Sequence, residues 1–188
     1  YNNKYGVPLS LFNLDQKNDY GVLEIGMDKK GEIDYLSKIV KPDVSVITNI
    51  NYAHAKNFKN IKQIALAKSE IINNTKINGF IVLNADDNFF TLHKKMANKR
   101  KLNILSFGID NQKANIKLIS IKKIANRFKA IIRINNLKTY FFISNNFQSN
   151  ILNILAALSV MSIFLDISKL KKNIFLSFKI PNGRGDIT

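Results

Sequence analysis

Val44-Ser45-Val46-Ile47-Thr48-Asn49-Ile50, Ile61-Lys62-Gln63-Ile64-Ala65-Leu66-Ala67-Lys68-Ser69-Glu70-Ile71-Ile72 and Gly79-Phe80-Ile81-Val82-Leu83 follow one another closely in this chain. The first and third are short apolar runs rich in β-branched residues, the composition of buried strands. The middle run repeats its apolar residues with the period of a helix. Strand, helix and strand in that order predict an α/β fold with a mostly parallel sheet covered by helices.

The same alternation extends both ways. Tyr20-Gly21-Val22-Leu23-Glu24-Ile25-Gly26 reads as a further buried strand, and residues 33–40 as an amphipathic helix ended by Pro42. A helix over 88–97 and a strand over 102–107 continue the pattern. The texture then changes to three short strand candidates at 114–120, 128–134 and 139–143, with Asn135-Asn136 as a hairpin turn. A small antiparallel layer is therefore expected beside the main sheet. Helices are predicted over 148–165 and 168–177.

The chain has 188 residues, 46% of them hydrophobic, enough for one domain with a substantial core. It has no cysteine, which removes disulfides and thiolate metal sites and leaves only hard metals. The longest apolar stretch, 151–165, is shorter than the roughly 18 to 20 residues that cross a bilayer, and Asn153, Ser159 and Ser162 interrupt it. No transmembrane segment is expected. The net charge of +16 is uneven: residues 1–87 are at +1 and residues 88–188 at +15. The excess is mostly lysine, with four arginines in all. It reads as compositional drift over a solvated surface, with capture of anionic nucleotides and nucleic-acid binding as alternatives.

Three polar residues stand in apolar surroundings. Glu24 interrupts Val22-Leu23-Glu24-Ile25, where a carboxylate is costly to bury unless it is paired or binds a cation. Lys68 lies in the middle of the helical arc of Ile61, Ile64, Ala65, Ile71 and Ile72. It either snorkels or is held inside, where burial lowers its pKa and frees a neutral amine that carbon dioxide can convert to a carbamate. His54 follows the strand ending at Ile50. A strand-end carboxylate, a loop histidine and a carbamate are together a reasonable set for magnesium, and each alone has an ordinary structural explanation.

Several segments resemble a known family in wording as well as in physics. Asn3 with Gly6-Val7-Pro8-Leu9-Ser10-Leu11, Val22-Leu23-Glu24-Ile25-Gly26-Met27, Gly31-Glu32-Ile33, Lys41-Pro42-Asp43, Ile47-Thr48-Asn49-Ile50, Ala53-His54, Ile64 to Ile71 and Val82-Leu83-Asn84-Ala85-Asp86-Asp87 occur in the order seen in Mur ligases. The type resembled is the UDP-N-acetylmuramoyl-tripeptide:D-alanyl-D-alanine ligase. The resemblance implies the Mur ligase central ATP-binding domain, P-loop NTPase-like, over residues 1–180, with 181–188 opening a linker to a further domain. It also implies an upstream glycine-rich phosphate loop that these residues do not contain, so the piece alone is expected to be inactive.

What the resemblance implies for single residues is specific. Glu24 and His54 match magnesium ligands, and Lys68 matches a lysine carbamylated in these ligases. Asn150 and Asn153 match asparagines near the adenine of ATP, and Arg184 an arginine that approaches the nucleotide. Asn84 and Asp87 belong to a motif that packs near the site. The implied reaction is cytoplasmic and serves peptidoglycan precursor synthesis. ATP activates the tripeptide carboxylate as an acyl phosphate, which the amine of D-alanyl-D-alanine attacks, with ATP and Mg2+ as cofactors. The implied partners are UDP-N-acetylmuramoyl-tripeptide and D-alanyl-D-alanine, with no nucleic acid and a monomeric full-length enzyme. One departure stands out: Phe147-Gln148-Ser149-Asn150 lacks the histidine usual before the asparagine. The alternatives are a sibling ligase for another amino acid, a folylpolyglutamate synthase-like ligase, and a basic domain that binds nucleic acid without catalysis.

Overall fold

The structure, a computed structural model, describes residues 2–52 and 57–178. His54 and Arg184 lie outside the described residues. The chain divides into two compact units, one running to Ile81 and taking in Asp87–Ile104, the other made of Val82–Asp86 and the residues from Leu105 on.

The first unit begins with α1 (Gly6–Phe12) and α2 (Glu32–Val40). Glu32 and Asp34 in the first turn of α2 and Lys38 in its last complement the helix dipole. Lys41 takes a left-handed conformation just before Pro42 and stops the helix. β1 (Val44–Ile47) follows, then α3 (Ile61–Lys68). Asn60 caps α3 by accepting from the Gln63 amide at 3.0 Å, and the Gln63 side chain accepts in return from the Lys59 amide. The helix predicted over 61–72 is broken at Ser69, after which α4 (Glu70–Asn74) begins. The Ser69 hydroxyl donates to the Leu66 carbonyl at 2.7 Å, a back-bond that competes with the regular ladder and bends the helix.

β2 (Phe80–Asn84), α5 (Phe90–Lys99) and β3 (Asn103–Gly108) come next. The Asn103 amide donates to Gly79 at the start of β2, and the Ala85 amide to Phe107 beyond its end, so β2 and β3 run in the same direction. In the second unit β4 (Ile116–Ile124), β5 (Arg127–Ile134) and β6 (Leu137–Ile143) follow. All six strands form one sheet in the order β1-β2-β3-β4-β5-β6. β4 pairs in parallel with β3, while β4–β5 and β5–β6 are antiparallel. The antiparallel strands are thus an extension of the main sheet. Asn135, at φ 51°, makes the two-residue turn that its sequence predicts. α6 (Gln148–Phe164) buries Ile151, Ile154, Leu155 and Leu158 and packs on β4.

Two predicted elements are not formed. Residues 20–26 make no strand: Val22 is 95% exposed, and the Gly26 amide donates to the Asn2 carbonyl at 2.8 Å. An apolar run becomes a strand only where neighbouring backbone supplies a ladder. Over 168–177 there is only a 3₁₀ turn, Ile167–Lys169, capped by Asp166. Here the edge of β6 takes the backbone instead, because the Phe142 amide donates to the Lys172 carbonyl and Phe175 bridges Ile143. Among the described residues no helix is long and apolar enough to cross a membrane.

Candidate functional site

Lys68 is half-buried at the last position of α3. Its Nζ donates to the Asn49 carbonyl, just past the carboxyl end of β1, at 2.8 Å. Burial lowers its pKa, and the negative charge of Asp87 opposes that shift. The Lys68 amine thus lies against backbone just past the end of a strand.

Asp87 fixes the backbone around it. One carboxylate oxygen accepts from the Ile50 amide at 2.8 Å and the other from the Phe89 amide at 2.8 Å. The loop leaving β1 and the turn entering α5 are thus held by one side chain. His93 on α5 completes the group and was not singled out from sequence. It is 2% exposed, and its Nε2 donates to the Ala65 carbonyl on α3 at 3.1 Å. Burial lowers its pKa, the hydrogen bond and Asp87 raise it, and Lys68 lowers it further. The signal that could have found it is a histidine one turn into a helix beside the Asp86-Asp87 pair, which is weak.

In the second unit Asp86 gathers the backbone of the turn after β3. Its carboxylate accepts from the amides of Ile109 at 2.5 Å, Asp110 at 3.2 Å and Asn111 at 2.7 Å. A Cβ on Gly108 would stand 2.8 Å from that carboxylate, so the close approach requires glycine.

The other predicted residues that are described each sit in local surroundings of their own. Glu24 is exposed and accepts from the Asn2 amide group at 3.1 Å. Among the described residues no three His, Asp or Glu side chains converge as a metal cluster. Asn150, 1% exposed, donates to Asn145 at 3.0 Å, while its Oδ1 is buried without a partner. Asn153 is exposed on the same helix.

The family model described as the Mur ligase middle domain matches residues 1–161. The chain belongs to this family. This Mur ligase domain is 42% identical over 112 residues to the UDP-N-acetylmuramoyl-tripeptide--D-alanyl-D-alanine ligase of Buchnera aphidicola subsp. Acyrthosiphon pisum, covering 60% of this chain and 24% of the relative. It is 31% identical to the ligase of that name from Rickettsia prowazekii over 100% of this chain and 42% of the relative. It superposes with a TM-score of 0.72 on the crystal structure of MurF ligase from Thermotoga maritima in complex with ADP, at 30% identity, covering 89% of this chain and 40% of that one. The Mur ligase domain therefore spans less than half the length of these relatives, and its mixed sheet with flanking helices is the fold of the family's middle domain.

Proposed function

We propose that this chain is the ATP-using part of a cytoplasmic ligase that joins D-alanyl-D-alanine to a UDP-N-acetylmuramoyl-tripeptide in peptidoglycan precursor synthesis. The observation that carries the reading is Lys68. It is a half-buried amine with a lowered pKa, aimed at the carboxyl end of a sheet strand, in a chain whose relatives are named for that reaction. Ligands of open α/β sheets bind at that edge.

In this reading the lowered pKa leaves more of the Lys68 amine neutral and able to take up carbon dioxide as a carbamate. Lys68, Glu24 and His54 would hold magnesium, which when bound offsets the charge of the phosphates. A carbamate, a carboxylate and an imidazole suit a hard divalent cation. Asp87 keeps the β1 loop and the start of α5 in place around the Lys68 amine. Asn150 and Asn153 would face the adenine. The buried, unpartnered Asn150 Oδ1 is a ready acceptor for an exocyclic amine, which supports a purine at that end of α6. Arg184 would approach the nucleotide. The tripeptide carboxylate takes phosphate from ATP, and the dipeptide amine then displaces it.

The test uses the complete gene product. Phosphate release should require ATP, the UDP-linked tripeptide and D-alanyl-D-alanine together, and other amino acids should not replace the dipeptide. Lys68→Ala is expected to lose at least about a hundredfold, a missing charge-stabilising group being worth that much, with partial recovery in formate or acetate. Full activity of the unsupplemented variant would sink the carbamate role, and preference for another amine donor would reassign the substrate.

A further inference from the structure

The ligase reading leaves one surface of the second unit unused. β4, β5 and β6 turn one face to the core through Ala130, Ile132, Phe141 and Ile143, all buried. The register sets the alternate residues on the opposite face. There Lys122 lies directly across from Lys129, Ile124 from Arg127, and Arg133 from Lys138, while Phe142 pairs with Lys129 and Tyr140 with Ile131. None of the three strands contains an aspartate or glutamate. Like charges facing each other across a ladder are destabilising, and this face keeps such pairs with no acid between them.

Its cations are also seated on rings. The Arg127 guanidinium carbon is 3.8 Å from the Phe142 ring centroid and Lys129 Nζ is 4.1 Å from that of Tyr140. The two rings meet edge to face at 5.6 Å. Arg133 and the buried Lys117 donate to carbonyls between Ile109 and Ala114, so they are committed to that turn. The cations left for a ligand are Lys122, Arg127, Lys129 and Lys138.

We propose that this face binds single-stranded nucleic acid. Phosphates relieve the opposed lysines, and the Arg127 guanidinium, backed by Phe142, presents a flat cationic plane on which an unpaired base can stack. A bilayer fits less well, because binding there needs a contiguous apolar face to enter the headgroup layer. The large exposed apolar residues of these strands, Ile119, Ile124 and Leu137, are scattered over a bulge and two turns.

Fluorescence anisotropy of the complete gene product with labelled oligo-dT and oligo-U of 15 nucleotides tests this. About four phosphate contacts at roughly 0.7 each give a slope of log affinity against log salt near −3, or about fiftyfold weaker binding at 200 mM than at 50 mM salt. Replacing Lys122, Arg127 and Lys129 together by glutamine should cost at least tenfold in affinity with far-UV circular dichroism unchanged. Replacing Lys17, Lys30 and Lys59 of the first unit should cost less than twofold. Arg127→Lys, which keeps the charge and loses the plane, should cost threefold or more. Equal losses from the two triple variants would reduce the effect to bulk charge and overturn the proposal, as would equal affinity for a duplex of that length. Sedimentation with phosphatidylglycerol vesicles that oligonucleotide does not reverse would replace it with a membrane surface.

Discussion

Residues 20–26 and 44–50 are both short apolar runs tied to a candidate site residue, Glu24 within the first and Lys68 on the Asn49 carbonyl of the second, yet only the second forms a strand. The Phe80 amide donates to the Asp43 carbonyl at 2.9 Å, and β1 sits in the sheet beside β2. The 20–26 run has the Gly26–Asn2 bond and leaves Val22 in solvent. Glu24 therefore stands on an exposed stretch, while Lys68, tied to the end of β1, is held in place. What separates the two runs is a neighbouring backbone that completes the ladder.

The largest effect that could break this comparison is in the core. On the 188-residue chain Ile47→Ala should lose about 2 to 4 kcal/mol, the cost of truncating a buried aliphatic side chain. Val22→Ala should stay within about 0.5 kcal/mol, as exposed positions do. Urea midpoints measure both. Repeating Val22→Ala in the complete gene product sharpens the contrast, since a loss of about 1 kcal/mol or more there would mean that residues outside this chain cover the segment.

A smaller effect separates two carboxylates. Asp86 accepts from three consecutive backbone amides, whereas Glu24 is exposed beside Asn2. Hydrogen bonds to a charged group contribute about 1.5 to 3 kcal/mol, so Asp86→Ala should lose stability in that range. Glu24→Ala should be near neutral in stability while lowering ligase activity. Amide hydrogen exchange at 109–111 should speed up in the Asp86 variant alone. If Glu24→Ala leaves both activity and magnesium dependence unchanged, Glu24 is no ligand.

What the sequence made legible was local. Asn135-Asn136 announced its turn because asparagine tolerates positive φ, and Lys68 stood out because a helix repeats at a fixed angle. Strand 20–26 and helix 168–177 were misread because their fate depends on distant backbone: a partner for the first, the open edge of β6 for the second. Glu24 and His54 drew attention by their place in apolar surroundings and at a strand end, whereas Asn150, Asn153 and Arg184 came from the family wording alone. His93 stayed hidden, since its surroundings are made by Ala65 and Asp87 from other parts of the chain. The basic face was hidden too, because residue spacing alone does not reveal that Lys122 and Lys129 stand opposite each other.

His93 gives the smallest and most specific test. Its folded pKa lies below the ordinary 6.5, chiefly because burial disfavours the imidazolium. As pH falls below about 6.5, the unfolded chain binds a proton at this position and the folded chain does not, so the unfolded state gains. The stability that His93 contributes is therefore complete above that pH and is lost as pH falls towards the folded pKa, at up to about 1.4 kcal/mol per pH unit. His93→Gln retains a side-chain amide that can donate to the Ala65 carbonyl and removes the titration. The difference in urea midpoint between the two proteins should grow in the variant's favour from pH 7 to pH 5, a range above that in which carboxylates with lowered pKa, such as Glu32 and Asp34, take up protons. Parallel pH curves would mean that the ring accepts its proton as easily folded as unfolded, and the cluster of Lys68, Asp87 and His93 would then be open to water.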